Sequence, residues 1–262
     1  MTFEELYGDR LDDELGTADR TELFTLVKRK LYLNEGQRVF NEHTGCYVKR
    51  VSLSVVDGTQ EYDVEAAATD VIRPSGTTAS LKMVGASTTS YREGRELPLV
   101  TEETLNNVWP NWRAASAGVP ECLYWRTDAG SRFLGFSPAP DIPVGETWTL
   151  LLPSVAQPPD MSATSDEPFG ASAPLIVLRP YHRAVLHYAA AMLERLRKNT
   201  EGTAKHLAIF GLNPATLQPT GEGFLGKYQR DQAPKSGQGI RLATNYRSRR
   251  FGGRPLDPTR WP

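Results

Sequence analysis

The stretch LRPYHRAVLHYAAAMLERLRKNTEG, Leu178 to Gly202, constrains this chain more than any other. Pro180 suits a first helical turn, where its missing N–H would have had no partner. Val185, Tyr188 or Ala189, Met192 and Leu196 fall at helical spacing and mark an apolar face. Ala189, Ala190 and Ala191 are small enough to let another helix approach closely. Arg195, Arg197 and Lys198 complement the negative end of the helix dipole. A helix of this length is marginal by itself in water and must pack against others. One partner follows at once in TAKHLAIFGLN, beyond Gly202. Another comes from the opposite end of the sequence, ADRTELFTLVKRKLYLNEGQRVFNEHTG. There Asp19 reads as the N-cap with Glu22 three places on, a capping box. Leu23, Leu26, Val27 and Leu31 form its apolar side, in register with Asn34 and Arg38, and Val39 and Phe40 continue it past Gly36. Gly45 supplies the stop. The acidic MTFEELYGDRLDDELGT ahead of it carries a Phe3–Leu6–Tyr7 motif suited to a turn of helix. Both ends of the sequence thus contribute to one helical bundle.

Between those helices the pattern changes to β. Val51, Leu53 and Val55 alternate with polar residues, as a half-buried strand requires. Asp57-Gly58 predicts a hairpin turn, with Tyr62 and Val64 on the return strand. DVIRPS and SLKMVG read as further strands, ECLYWRTDAGSRFLGFSP as a hairpin around Asp128–Gly130, and ETWTLLLPS as an edge-compatible strand. A short helix, TEETLNNVWPNWRAAS, interrupts them, capped by Thr101 and led by Glu102 and Glu103. Many short strands ending at prolines predict an antiparallel β-sandwich. The fold class is therefore α+β: a bundle of N- and C-terminal helices, an inserted sandwich and an extended C-terminal arm. The boundaries are residues 1–45 for the first helical segment, 46–156 for the β module, 157–177 for a Pro/Ser/Asp-rich linker, 178–221 for the C-terminal helices and 222–262 for the arm.

The arm has no sustained period and too few apolar residues to offset its own ordering entropy. It ends in NYRSRRFGGRPLDPTRWP, where Arg247, Arg249, Arg250, Arg254 and Arg260 alternate with Tyr246, Phe251 and Trp261. The 262 residues carry a formal charge of −1, but Gly226 to Pro262 holds nine basic residues against two acids, a balance of +7 that leaves −8 on the remainder. An acidic body with a basic arm invites electrostatic docking, on a partner or between copies.

Motifs for chemistry are absent. There is no glycine-rich dinucleotide or phosphate loop and no nucleophile elbow, so no catalytic residue and no cofactor is expected. His182 and His187 stand five apart, not at the three or four that aligns two ligands on a helix, so no metal site is expected. Asp166 and Glu167 read as solvated acids on the linker. Cys46 and Cys122 have no metal spacing and read as buried free thiols of a reducing compartment. No apolar run approaches 18 residues and no basic-then-apolar start occurs, so neither a membrane span nor a secretory signal is expected. Trp109 and Trp112 anchor the short helix to the sandwich or to a neighbouring subunit; stacking on sugar rings is the alternative use.

Several of these features, in order, resemble the head–tail adaptor (connector) proteins of tailed bacteriophages, the group that includes podovirus tail tubular protein A. They are the W-x-x-W of Trp109–Trp112, G-x-P before a strand, P-x-P-D before a strand ending in leucines, and the Y-H-x-x-x-x-x-Y-A-A helix from Tyr181. The resemblance covers roughly Thr101 to Leu196. Its implications are those of a structural virion protein made in the host cytoplasm. Such proteins form a twelve-fold ring at the neck, below the portal, that extends the DNA channel and supports the tail or nozzle protein. It further implies that the arm, through Arg247, Arg249, Arg250, Phe251, Arg254, Arg260 and Trp261, docks on the portal or on a neighbouring copy. Genomic DNA would pass through the ring without sequence-specific contacts. The sequence departs from the pattern in the length and basicity of this arm.

Two other uses fit some of the same residues. The arm would also suit phosphates, as a nucleic-acid-binding module, although the acidic body opposes it. Trp109 and Trp112 would suit a carbohydrate-binding or tail-fibre module. A hydrolase finds no site in the sequence.

Overall fold

The computed structural model describes residues 1–16, 24–85, 91–128, 131–170 and 178–232, with side chains omitted at 91–94. The chain is a mixed α+β protein with one helical core and one core lined by a curled sheet.

The N-terminal segment folds as three short helical pieces: α1 (Phe3–Glu5), a wide turn at Leu6–Arg10 broken at Gly8, and α2 (Leu11–Leu15), which ends on Gly16 in the left-handed region. A capping box starts it: the Glu5 amide donates to the Thr2 hydroxyl, and the Thr2 amide donates to the Glu5 carboxylate. Phe3 and Leu6 are fully buried, and Tyr7 meets Phe3 edge-on at 5.2 Å.

Helix α3 (Leu26–Thr44) begins behind Thr25, whose hydroxyl accepts from the Lys28 amide, and stops at Gly45 with φ 62°. The expected cap at Asp19, with Glu22 and Leu23, lies outside the described residues. The period of this helix is as expected but its phase is not. Arg29, Leu33, Gly36, Gln37, Phe40 and Asn41 face inward. Leu26, Val27 and Leu31 face out, at 50%, 76% and 57% exposure. The polar inner residues are tolerated because each finds a partner. Gln37 donates to the Pro159 carbonyl (2.8 Å) and accepts from the Phe169 amide (3.0 Å), and Asn41 donates to the Ala156 carbonyl (2.8 Å). Arg29 donates to the carbonyls of Phe24 and Tyr7 and to Asp12. Hydropathy alone does not register such satisfaction.

Helix α6 (His182–Leu196) is buried on nearly every side from Ala184 to Glu194, rather than along one stripe, and opens outward at Arg183 near its start and at Arg195 and Leu196 at its end. It packs on α2, on α3 and on α7 (Thr200–Phe210). Where α3 crosses it, Gly36 is small enough for close approach: a Cβ there would sit 3.1 Å from both the Tyr188 Cβ and the Val185 carbonyl oxygen. Glu194, buried near the end of α6, is held by Arg197 and by Asn199, the N-cap of α7. Residues expected in the arm instead form α8 (Gly223–Gln232), with Leu225 buried and Tyr228 packed edge-on against Phe40 and Tyr181. With Phe224, which also packs on the helical core, three anchoring side chains in one short helix suffice where a long periodic stripe is missing. Residues 233–262, with Arg247, Arg249, Arg250, Phe251, Arg254, Arg260 and Trp261, lie outside the described residues.

Among the described residues eight strands build the sheet: β1 (Val48–Val55), β2 (Glu61–Asp63), β3 (Val71–Pro74), β4 (Thr78–Val84), β5 (Tyr91–Thr101), β6 (Cys122–Asp128), β7 (Ser131–Ser137) and β8 (Thr147–Ala156). Their order is β1-β8-β4-β5-β6-β7-β2, with β3 also on β8. Every pair is antiparallel except β5–β6, so the sheet is mixed and not purely antiparallel. Strand β5 turns the corner. Up to Pro98 it pairs with β4, and from Leu99 it runs parallel to β6. The curled faces share one core: Val51, Leu53, Leu81, Trp148 and Leu150 from one limb meet Leu123, Leu134 and Phe136 from the other.

The hairpin at Asp57-Gly58 does not form. The turn is present, with Gly58 at φ 68°, but β1 pairs with β8 and β2 with β7, at opposite ends of the strand order. Tyr62 lies on β2, whereas Val64 opens a short helix, α4 (Val64–Ala67), capped by Asp63. The β6–β7 hairpin pairs as expected, Asp128 opposite Ser131. Strand β8 is interior and not an edge, because Pro153 falls where the ladder tolerates it: its carbonyl accepts from the Ser75 amide, and its missing N–H costs only one bond.

The connector after β8 is a docked segment. Met161 and Phe169 enter the helical core. Asn34 clasps Met161 through both its amide and its carbonyl. Arg38 pairs with Asp160. Asp166 accepts from the Ser162 and Ala163 amides, which hold its carboxyl below the usual range. Its carbonyl also accepts from the Phe3 amide.

Candidate functional site

Three arrangements in this fold bear on function: an aromatic corner on the sheet, an outward apolar stripe on α3, and a histidine cluster among the helices.

The corner is built by α5 (Glu102–Val108), whose cap Thr101 accepts from the Thr104 amide. The chain then turns through Trp109 into a single 3₁₀ turn, Trp112–Ala114. Trp112 is buried, meets Tyr124 edge-on at 4.6 Å, and donates from Nε1 to Asn106 (2.8 Å). The Arg113 guanidinium covers its ring at 4.6 Å and pairs with Glu102. Tyr124 lies across Gly135, its cross-strand neighbour, and donates to Glu61 (2.6 Å), which also receives Arg126. Burial and the Glu61 carboxylate push the Tyr124 phenol up. Trp109 is half-buried beside them. Trp112, enclosed on both sides, offers no open face for a sugar ring.

The stripe on α3 has the opposite character. Leu26, Val27 and Leu31 are large, aliphatic and uncovered, within one and a half turns of one helix. Ala189, Ala190 and Ala191 are instead fully buried in the helical core. Both thiols are buried and free, and burial pushes each up to about 11.

The histidine cluster has no signature along any one helix, because its members come from α2, α6 and α7. His187 on α6 and His206 on α7 are both buried, with their Nδ1 atoms 3.2 Å apart. Glu14 of α2 reaches the same place, its Oε2 3.8 Å from His187 Nδ1. The rings lie 26° from parallel, and Phe224 of α8 stacks on His187 at 5.7 Å. Burial lowers both imidazoles from their ordinary range. His182, five residues before His187 and so not aligned with it on the helix, sits elsewhere, against Phe169. Among the described residues no helix is long and apolar enough to cross a membrane.

No curated protein matches the chain. The model of one protein family does, across residues 1–233, and so takes in the helical core, the whole sheet and α8. That family is described as SU10 adaptor protein. The match agrees with the head–tail adaptor resemblance found along Thr101 to Leu196 and extends beyond it in both directions. On this match over most of its length, the chain belongs to the SU10 adaptor protein family of phage structural proteins.

Proposed function

We propose that this protein is the head–tail adaptor of a tailed phage: a twelve-fold ring below the portal that extends the DNA channel and gives the tail its platform. The observation that carries this reading is the family match over residues 1–233. In this ring the helical bundle forms the wall and the β module, built on the curled mixed sheet, projects outward or tailward. A neighbouring copy covers Leu26, Val27 and Leu31, each of which is at least half exposed in the single chain. Enclosing them contributes about 1–2 kcal/mol apiece, which is enough to add up around a ring and too little to hold a dimer in dilute solution. The isolated protein is accordingly monomeric and closes its ring on the portal.

The arm makes the second contact. Arg247, Arg249, Arg250, Arg254 and Arg260 supply forked hydrogen bonds to carboxylates, and Phe251 and Trp261 supply apolar anchors, on the portal or on the acidic body of a neighbour. Genomic DNA passes the ring without sequence-specific contacts.

The test is to mix purified protein with portal particles and follow co-sedimentation and ring formation by electron microscopy. Wild type is expected to form rings on portals only. A Val27→Glu, Leu31→Glu double variant should melt normally yet fail to close the ring, and truncation after Thr244 should weaken attachment in a salt-dependent way. Normal ring formation by the double variant would remove α3 from the interface. Wild type that never associates with portals would contradict the adaptor reading.

A further inference from the structure

We propose that Glu14, His187 and His206 form a binding site for a divalent transition-metal ion of the zinc type, which staples the N-terminal segment to the helical core. The site is independent of the ring reading.

The geometry is the starting point. A tetrahedral zinc with Zn–N bonds near 2.0–2.1 Å places its ligand atoms roughly 3.3 Å apart. The two Nδ1 atoms stand 3.2 Å apart without any adjustment. The Glu14 oxygen lies 3.8 Å from His187, and all three ligand atoms fall within 4.8 Å of one another. Only the carboxylate has to close in, and it belongs to the partly exposed side chain of the three. Two imidazoles and one carboxylate suit zinc, cobalt or nickel better than calcium or magnesium, which take oxygen ligands. The fourth position would be left to water, as in other three-ligand sites.

The supports of the site are rigid. His187 lies in the middle of the most buried helix, with Phe224 stacked on it. His206 sits on α7, which is fixed to α6 by the Glu194–Asn199 contact. Arg183 and Lys205 face His187, and Lys205 and Arg197 face His206, so the carboxylates of Glu14 and, beside His206, Glu194 supply the negative charge that a divalent ion needs there. Without an ion the same atoms make one imidazole–imidazole hydrogen bond, and Glu14 is held only at 3.8 Å. An ion would turn that loose contact into a bond between α2 and the α6–α7 pair.

The experiment uses the full chain, stripped with chelator and titrated with Co²⁺ alone and then with Zn²⁺. The expected result is one Co²⁺ per chain with the visible absorption of a four-coordinate site, displaced by Zn²⁺, and a melting temperature that rises with metal. His206→Gln should abolish uptake. Glu14→Gln, a change at a partly exposed position that leaves folding intact, should weaken it by about tenfold or more, as loss of one ligand bond does. No uptake by the wild type, or uptake unchanged in His206→Gln, would overturn the site. Uptake unchanged in Glu14→Gln would overturn the staple.

Discussion

Replacing Gln37 with methionine separates two accounts of α3. Methionine keeps the length of the side chain, removes its polarity and should favour burial on hydropathy grounds, since Gln37 is fully buried. The structure gives the opposite sign. The Gln37 amide donates to the Pro159 carbonyl at 2.8 Å and to Asn34 at 3.2 Å, and its carbonyl accepts from the Phe169 amide at 3.0 Å. Asn34 keeps its two contacts with Met161 after the change. The Pro159 carbonyl and the Phe169 amide lose their side-chain partner. Two orphaned backbone groups cost roughly 2–6 kcal/mol together. The thioether recovers about 1–2 kcal/mol of transfer energy. The middle of these ranges gives an expected net loss of about 2–3 kcal/mol, read as a lower urea midpoint at unchanged m-value, with faster hydrogen exchange across residues 157–170. A Gln37→Met protein as stable as wild type, or more so, would refute the claim that the connector is held to α3 by this side chain.

Other expectations follow from single sites. Ala190→Leu should overpack the fully buried center of α6 and cost about 1–3 kcal/mol in chemical denaturation; no change would mean that the crossing is looser than described. Cys46 and Cys122, both raised to about 11 by burial, should resist thiol reagents at neutral pH until the protein unfolds, and fast labelling of the folded chain would contradict their enclosure. Burial lowers His182 from 6.5 to about 4. The unfolded chain therefore binds more protons through that window, and stability present at neutral pH is lost as pH falls from about 6.5 toward 4. Replacing His182 with Gln should flatten this part of the pH–stability profile, and parallel profiles would show that the residue does not contribute.

Much of the secondary structure was legible because it is locally encoded. The alternation of Val51, Leu53 and Val55, the Thr101 cap and the apolar run of α6 all specify their own geometry. What was not legible depends on partners far away in sequence. The Asp57-Gly58 turn forms, but β1 pairs along its whole length with β8 and β2 with β7, partners far away in sequence that a local turn does not reveal. The phase of α3 is set by Gln37, Asn41 and Arg29, polar residues whose partners are a connector, a strand end and the N-terminal segment. The residues of the arm named from sequence lie outside the described part of the chain and beyond the family match, so their proposed role rests on their chemistry alone. The histidine cluster escaped because spacing was considered along a single helix, whereas its second histidine and its carboxylate lie on two others. The surplus of aliphatic residues on α3 was visible from the start. Its phase is not carried by hydropathy, and Leu26, Val27 and Leu31 end on the outer face.

The most direct test of the adaptor assignment is a cryo-electron microscopy reconstruction of the neck of the intact virion. The account predicts a twelve-fold ring of this protein between portal and tail, with α3 of each copy against its neighbour. A virion lacking the protein, or one carrying it on the capsid shell or on fibres, would contradict it.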